Sequence, residues 1–281
     1  MKSPSRLAFV IALTALSSNA LPLLTRTQAQ AQTQAPPTDA EIYSSFRAWV
    51  TKPAVDGPAT DVMTRYRKVL ADEGVNPAEV ERRIRIITEQ GQRLEIEMWN
   101  RVLTAPKPFF NTKPNAFLTE MIRDVKPGKA LDVGMGQGRN ALYLAQQGWT
   151  VTGFDPADKA VAAAQEEAKR LGVNVTTLVM RDDQFDFGKE QWDLVVLSYV
   201  TLRHLLPQIR QSLKPGGLVV VEAFHRDATK NQPIGGGVVY DTNELLKLFD
   251  QFRVVRYEDT EGAGDFGLQK TRLVRLCAQK P

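Results

Sequence analysis

The sequence predicts an α/β protein with a doubly wound, mostly parallel sheet. Three observations carry that expectation. Short apolar or β-branched runs alternate with alanine- and leucine-rich helical patterns along the second half of the chain. A glycine-rich turn, Gly134-Met135-Gly136-Gln137-Gly138, joins the first of these runs to the first of these helices. Carboxylates close the first two runs, Asp132 and Asp155. At 281 residues, 43% apolar and 24% charged, the chain holds one sizeable domain and an accessory segment.

Residues 1–31 read as an export signal. Lys2 and Arg6 precede the apolar run 7–13, and Ser18-Asn19-Ala20 and Ala29-Gln30-Ala31 are both cleavage candidates. The run is short for a membrane span of ~20 residues, and no cysteine near it offers a lipid anchor. The body is therefore expected outside the cytoplasm, periplasmic or secreted, without stable membrane insertion after cleavage. An uncleaved N-terminal anchor and a later, cytoplasmic translation start are the alternatives.

Residues 32–37 form a polar linker, and 38–106 a helical lid or brace. Thr38 or Asp39 caps a helix reaching Val50, with Ile42, Phe46 and Val50 on one face. A second helix covers 61–72. Asn76-Pro77 opens a long third one ending near Pro106, in which Gly91 marks a candidate bend. Trp99, Phe109 and Phe110 near its end are candidates to cover a bound ligand.

The main domain, 107–281, begins with a helix opened by Pro114-Asn115 and then the strand that ends on Asp132 and Val133. Glycines at 134, 136 and 138 permit a sharp turn and close approach of a ligand, and the following helix offers unpaired N–H groups. A dinucleotide site has the pattern G-x-G-x-x-G. Here the third glycine comes one position early and Arg139 stands where that pattern has glycine. A carboxylate at 132 suits an ammonium group better than a pyrophosphate. The second strand, 148–155, ends in Asp155, 23 residues beyond Asp132, where an acid can accept hydrogen bonds from ribose hydroxyls. A helix over 158–170 stops at Gly172, a third strand spans 173–180, and Asp182 and Asp183 follow. A fourth strand covers 192–198, a short helix 206–213, and a fifth strand 218–224. A helix over 241–249 and two closing strands, 252–257 and 269–278, finish the domain, joined by an acid- and glycine-rich loop.

Charge and cysteine content narrow the partners. Lys2, Arg6 and Arg26 account for three of the four surplus positive charges, and no basic stripe marks a nucleic-acid groove. Cys277 stands alone, and with two histidines it leaves no recognisable metal-ligand spacing, so no metal is expected.

Asp132-x-Gly134-x-Gly136-x-Gly138 resembles motif I of the class I S-adenosylmethionine-dependent methyltransferases. Asp155, Asp182 placed 11 residues before Asp193, the Leu213-Lys214-Pro215-Gly216-Gly217 turn and the two-strand ending strengthen the resemblance. The run from Gly138 to Ala145 looks most like the tellurite-resistance-type enzymes, with Met135 where that group often has cysteine. The resemblance implies a Rossmann-like, seven-stranded sheet with an antiparallel last strand and S-adenosyl-L-methionine as cofactor. It also implies methyl transfer to a small-molecule substrate, with small oxyanions as an analogy. The implied cofactor-binding set is Asp132, Gly134, Gly136, Gly138, Asn140, Asp155, Asp182, Asp183 and Ser198. Asp132 would hold the amino group, Asp155 the ribose and Asp182 the adenine, with Asp183 a second candidate for that last role. Ser198, Tyr199, Glu222 and His225, at the ends of strands four and five, would face the methyl group. His225 and Tyr199 are the catalytic candidates. Arg226, Lys230, Tyr240 and the glycines at 235–237 are candidates for substrate contact. The competing readings are an exported adenosyl-ligand-binding protein without turnover and a nicotinamide oxidoreductase.

Overall fold

The computed structural model describes residues 36–50, 62–230, 234, 238–266 and 270–281. The export signal at 1–31, most of the linker and the glycines at 235–237 lie outside the described residues. Among the described residues no helix is long and apolar enough to cross a membrane.

Three helices come first: α1 (Asp39–Val50), α2 (Val62–Asp72) and α3 (Pro77–Leu103). They share a core of their own, in which Ile42, Phe46, Tyr66, Leu70, Ile84 and Leu94 meet. Asn76 caps α3 by accepting the Glu79 N–H at 2.9 Å, and Pro77 takes the first helical position, where no N–H is needed. Helix α3 continues through Gly91, where a Cβ would come 3.6 Å from the Tyr43 ring, so this glycine sits against α1 and does not end the helix.

The main domain alternates as expected. It runs α4 (Ala116–Met121), β1 (Lys129–Val133), α5 (Arg139–Gln146), β2 (Thr150–Asp155), α6 (Asp158–Leu171), β3 (Val175–Val179) and β4 (Trp192–Ser198). Then come α7 (Leu206–Ser212), β5 (Leu213–His225), β6 (Val239–Tyr240), α8 (Glu244–Leu248), β7 (Arg253–Ala263) and β8 (Lys270–Gln279). The sheet order is β3-β2-β1-β4-β5-β8-β7, with the two-residue β6 added beside β5. Strands β1 to β5 are parallel, and β8 inserts antiparallel between β5 and β7. Both faces are covered. Val195 and Leu197 of β4 point into one apolar core and Leu194 and Val196 into the other, which is why this strand reads as a continuous apolar run.

Two boundaries differ from the expectation. The fifth strand starts at Leu213, so the Lys-Pro-Gly-Gly segment is an irregularity within β5. Trp192 pairs with Leu213 and Leu194 already with Leu218. The presumed loop after Tyr257 is strand as far as Ala263, because its acids meet bases on β8. Glu258 pairs with Arg275 at 3.1 Å, Asp259 with Arg272 at 2.6 Å and Glu261 with Lys270 at 2.8 Å.

Candidate cofactor site

The site is built at the carboxyl edge of β1, where the chain enters the glycine turn. Gly134 has φ +65°, and a Cβ there would come 2.5 Å from Val200 Cγ1, so both conformation and space demand glycine. Gly138 is also left-handed (φ +78°) and leads into α5. Met135 is buried and packs over Gly153, as a filler side chain does.

Asp132 is 2% exposed and borders a small recess above this turn. One carboxylate oxygen accepts the Ala141 N–H at 3.0 Å. Burial pushes its carboxyl up to about 7, while Arg139 and the Ala141 N–H pull the other way. Asp155 is buried too and sits higher than an ordinary carboxyl, mainly through burial. Its two oxygens accept the N–H groups of Gly136 (2.9 Å) and Ala157 (2.8 Å), which ties the glycine turn to the end of β2. Asn140 accepts the Asn115 N–H at 2.9 Å and donates to Ser198 Oγ at 3.2 Å.

Of the residues expected at the site, Asp132, Gly134, Gly136, Asn140 and Ser198 line the recess, and Asp155 reaches it through Gly136. Gly138 lies between the lining residues Gln137 and Arg139, and the other expected residues are outside the lining. Asp182 lies 2.9 Å from His204 Nε2, and Asp183 pairs with Arg181. Tyr199 follows β4 with φ +59°, donates its hydroxyl to Glu222 at 2.6 Å and accepts the Asp265 N–H at 3.0 Å. Burial, then the nearby Glu222 and Asp265, hold its phenol well above the ordinary range. His225 is buried beyond the recess lining, 3.0 Å from Thr242 Oγ1. Arg226 pairs with Asp241 and Lys230 with Asp227.

Several residues that build the site are held in place by partners distant in the sequence, and Phe110, a candidate to cover a ligand, is among the lining. Arg139 lies 2.7 Å from Asp265, whose carboxylate also accepts from Asn111 (2.9 Å) and Asn115 (2.8 Å). Phe110 and Phe266 form part of the lining, whereas neighbouring Phe109 is 53% exposed. Helix α3 crosses the carboxyl edge of the sheet. Gln92 meets Arg181 at 3.0 Å, Asn100 holds both Asp158 (2.6 Å) and the Lys159 N–H (3.0 Å), and the Gln137 amide donates to the Leu103 carbonyl. The Leu103 side chain lies 3.4 Å from where a Cβ of Gly136 would be. With α3 in this position the recess has a free volume of about 50 Å³, against roughly 300–1,000 Å³ for small-ligand pockets.

Residues 130–217, from β1 to the irregular start of β5, match the family described as "Methyltransferase domain". Residues 130–217 are a methyltransferase domain. A probable S-adenosyl-L-methionine-dependent methyltransferase, TehB of Haemophilus influenzae, is 24% identical over 163 residues, 56% of this chain and 57% of TehB. The chain thus spans just over half the length of that relative. A ubiquinone biosynthesis O-methyltransferase of Paramagnetospirillum magneticum is 38% identical over 104 residues, 35% of this chain and 41% of the relative. The crystal structure of TehB aligns with a TM-score of 0.51 at 21% identity, covering 59% of this chain and 62% of TehB. The N-methyltransferase NodS of Bradyrhizobium japonicum WM9, in complex with S-adenosyl-L-homocysteine, gives 0.52 at 16%, covering 66% and 98%. These two likenesses establish the fold around the methyltransferase domain. Helices α1 to α3 precede the matched segment, and α3 reaches the recess through Leu103.

Proposed function

We propose that the protein transfers a methyl group from S-adenosylmethionine to a small-molecule nucleophile, in a body exported from the cytoplasm. The observation that carries this reading is Asp132. It is a buried carboxylate bordering a recess, held by one backbone N–H and pushed toward neutrality by burial. A group of that kind is completed by a cation. The donor set fits the cofactor in two further ways. The glycine turn brings backbone close to the recess, and each Asp155 oxygen keeps a lone pair for a ribose hydroxyl after accepting its backbone N–H.

When bound, the cofactor supplies an activated methyl group on a sulfonium. The chain's own part is to hold and align. Asp132 binds the ammonium end, Asp155 the ribose, and Asn140 keeps Ser198 fixed at the end of β4. Asp182 meets His204 through one oxygen and keeps the other for the adenine amino group. Leu103, Phe110 and Phe266 exclude water from the reacting atoms. The narrow recess supports a lid's role for the brace, in which the C-terminal end of α3 shifts to admit the ligand.

Calorimetry with S-adenosylhomocysteine tests the reading. The full chain should bind it, and Asp155→Ala should weaken binding by about 1.5–3 kcal/mol through lost charge-assisted hydrogen bonds. Equal affinity in the variant would remove Asp155 from the site. N-terminal sequencing of the exported fraction tests the location. A new terminus after Ala20 or Ala31 is expected, and an intact Met1 in the cytoplasm refutes export.

A further inference from the structure

The recess has an aromatic wall whose chemistry bears on the methyl acceptor. Phe110 and Phe266 pair as an isolated antiparallel bridge, with ring centroids 5.6 Å apart. Trp99 meets Phe266 edge-on at 6.2 Å and Tyr199 does so at 5.4 Å. The charges around it are one-sided. Arg139 is the cation in the lining, and Asp265 already matches it at 2.7 Å. Arg275, deeper under the hairpin, is matched by Glu222 at 2.6 Å and Glu258 at 3.1 Å. Asp132 and Asp155 have backbone N–H groups as hydrogen-bond partners. Aromatic faces beside such carboxylates attract positive charge and disfavour anions.

We propose that the acceptor is an uncharged aromatic amine or nitrogen heterocycle, which leaves the site as a methylated cation. This rests on the methyl-transfer reading above. The nitrogen lone pair forms the bond to the methyl carbon while the carbon–sulfur bond breaks and its electron pair stays on sulfur. The positive charge passes from sulfur to nitrogen, so the site holds one such cation before and after the step. A ring or tertiary nitrogen has no proton to remove, and a primary or secondary amine gives its proton to water after release. The residues nearby agree with a reaction that needs no base. The Tyr199 hydroxyl donates to Glu222, and His225 is bonded to Thr242 outside the lining. An oxyanion would have to displace Asp265 from Arg139 or lie against the aromatic wall without a cation.

Equilibrium dialysis of the full chain loaded with S-adenosylhomocysteine compares naphthylamine with naphthoate near neutral pH, two ligands of similar shape and different charge. The amine should bind at least about tenfold more tightly, because naphthoate brings a charge that finds no free cation in the lining. Equal binding, or a preference for naphthoate, overturns the proposal. Phe266→Leu should weaken the amine about fivefold through lost ring stacking, and an unchanged affinity would take the aromatic wall out of the acceptor site. With S-adenosylmethionine, mass spectrometry should find N-methylated products from quinoline or naphthylamine. Methylated products from selenite with none from the amines would also overturn it. Failure of S-adenosylhomocysteine to bind at all would instead sink the cofactor reading, and this proposal with it.

Discussion

Burial holds the Asp132 carboxyl at about 7, and a bound ammonium group would draw it down again. Because the folded chain binds this proton more tightly than the unfolded chain does, the group's contribution to stability is complete below ~3.9. It is lost as pH rises through about 7. Ligand binding has the opposite sign. The ammonium needs the carboxylate, so below pH 7 association expels a proton. About one tenth of the free protein carries the ionised form one pH unit below that value, so affinity should fall about tenfold per unit, ~1.4 kcal/mol, and level off above it. Calorimetry with S-adenosylhomocysteine in two buffers of different ionisation enthalpy reads both the slope and the released proton. Asp132→Asn keeps an oxygen for the Ala141 N–H and removes the charge. It should weaken binding by ~1.5–3 kcal/mol above neutrality and flatten the pH profile. The same variant should melt higher than the wild type in mild alkali and nearly equally in acid. An affinity that is flat in the wild type between slightly acidic and slightly alkaline pH would refute the pairing of Asp132 with the ammonium.

Two further substitutions probe the roof. Leu103→Ala opens the recess above Gly136, so stopped-flow should show faster association of S-adenosylhomocysteine while denaturant titration shows a loss of about 2–3 kcal/mol of stability. An unchanged association rate would mean that α3 does not gate entry. Asp265→Asn leaves the partly buried Arg139 guanidinium without its carboxylate and should cost roughly 3 kcal/mol in the same titration. A loss within experimental error would mean that Asn111 and Asn115, not charge, hold this corner together.

Most of the sheet could be read along the chain because its signals are local. Val133, Gly134, Gly136 and Gly138 declare a strand, a turn and a helix within one short stretch, and the apolar run of β4 declares a strand covered on both sides. Asp132, Asn140 and Ser198, which line the recess, are legible for the same reason, since each stands at the end of an element the pattern defines. Other features depend on distant partners. The acids after Tyr257 look like a solvated loop until Arg272 and Arg275 are set opposite them. Asp182 has the spacing of a ligand-binding acid, but its contact with His204, 22 residues on, is not announced by its neighbours. Asp265 and Phe266 belong to a hairpin end 126 or more residues from Arg139, and nothing in their neighbours announces the pairing. The same is true of α3. The burial of Val80, Ile84, Ile87 and Leu94 follows from their spacing on one helix face, but that spacing does not announce that Asn100 settles on the start of α6 and Leu103 on the glycine turn.

The central claim is that strand-end carboxylates gather around one adenosyl ligand, and a crystal structure of the full chain grown with S-adenosylhomocysteine tests it most directly. The account predicts the ribose hydroxyls on Asp155, the amino group beside Asp132, and Leu103 shifted away from Gly136. Density for the ligand at some other place, or a saturated crystal with Leu103 still seated on Gly136 and the recess unchanged, would contradict it.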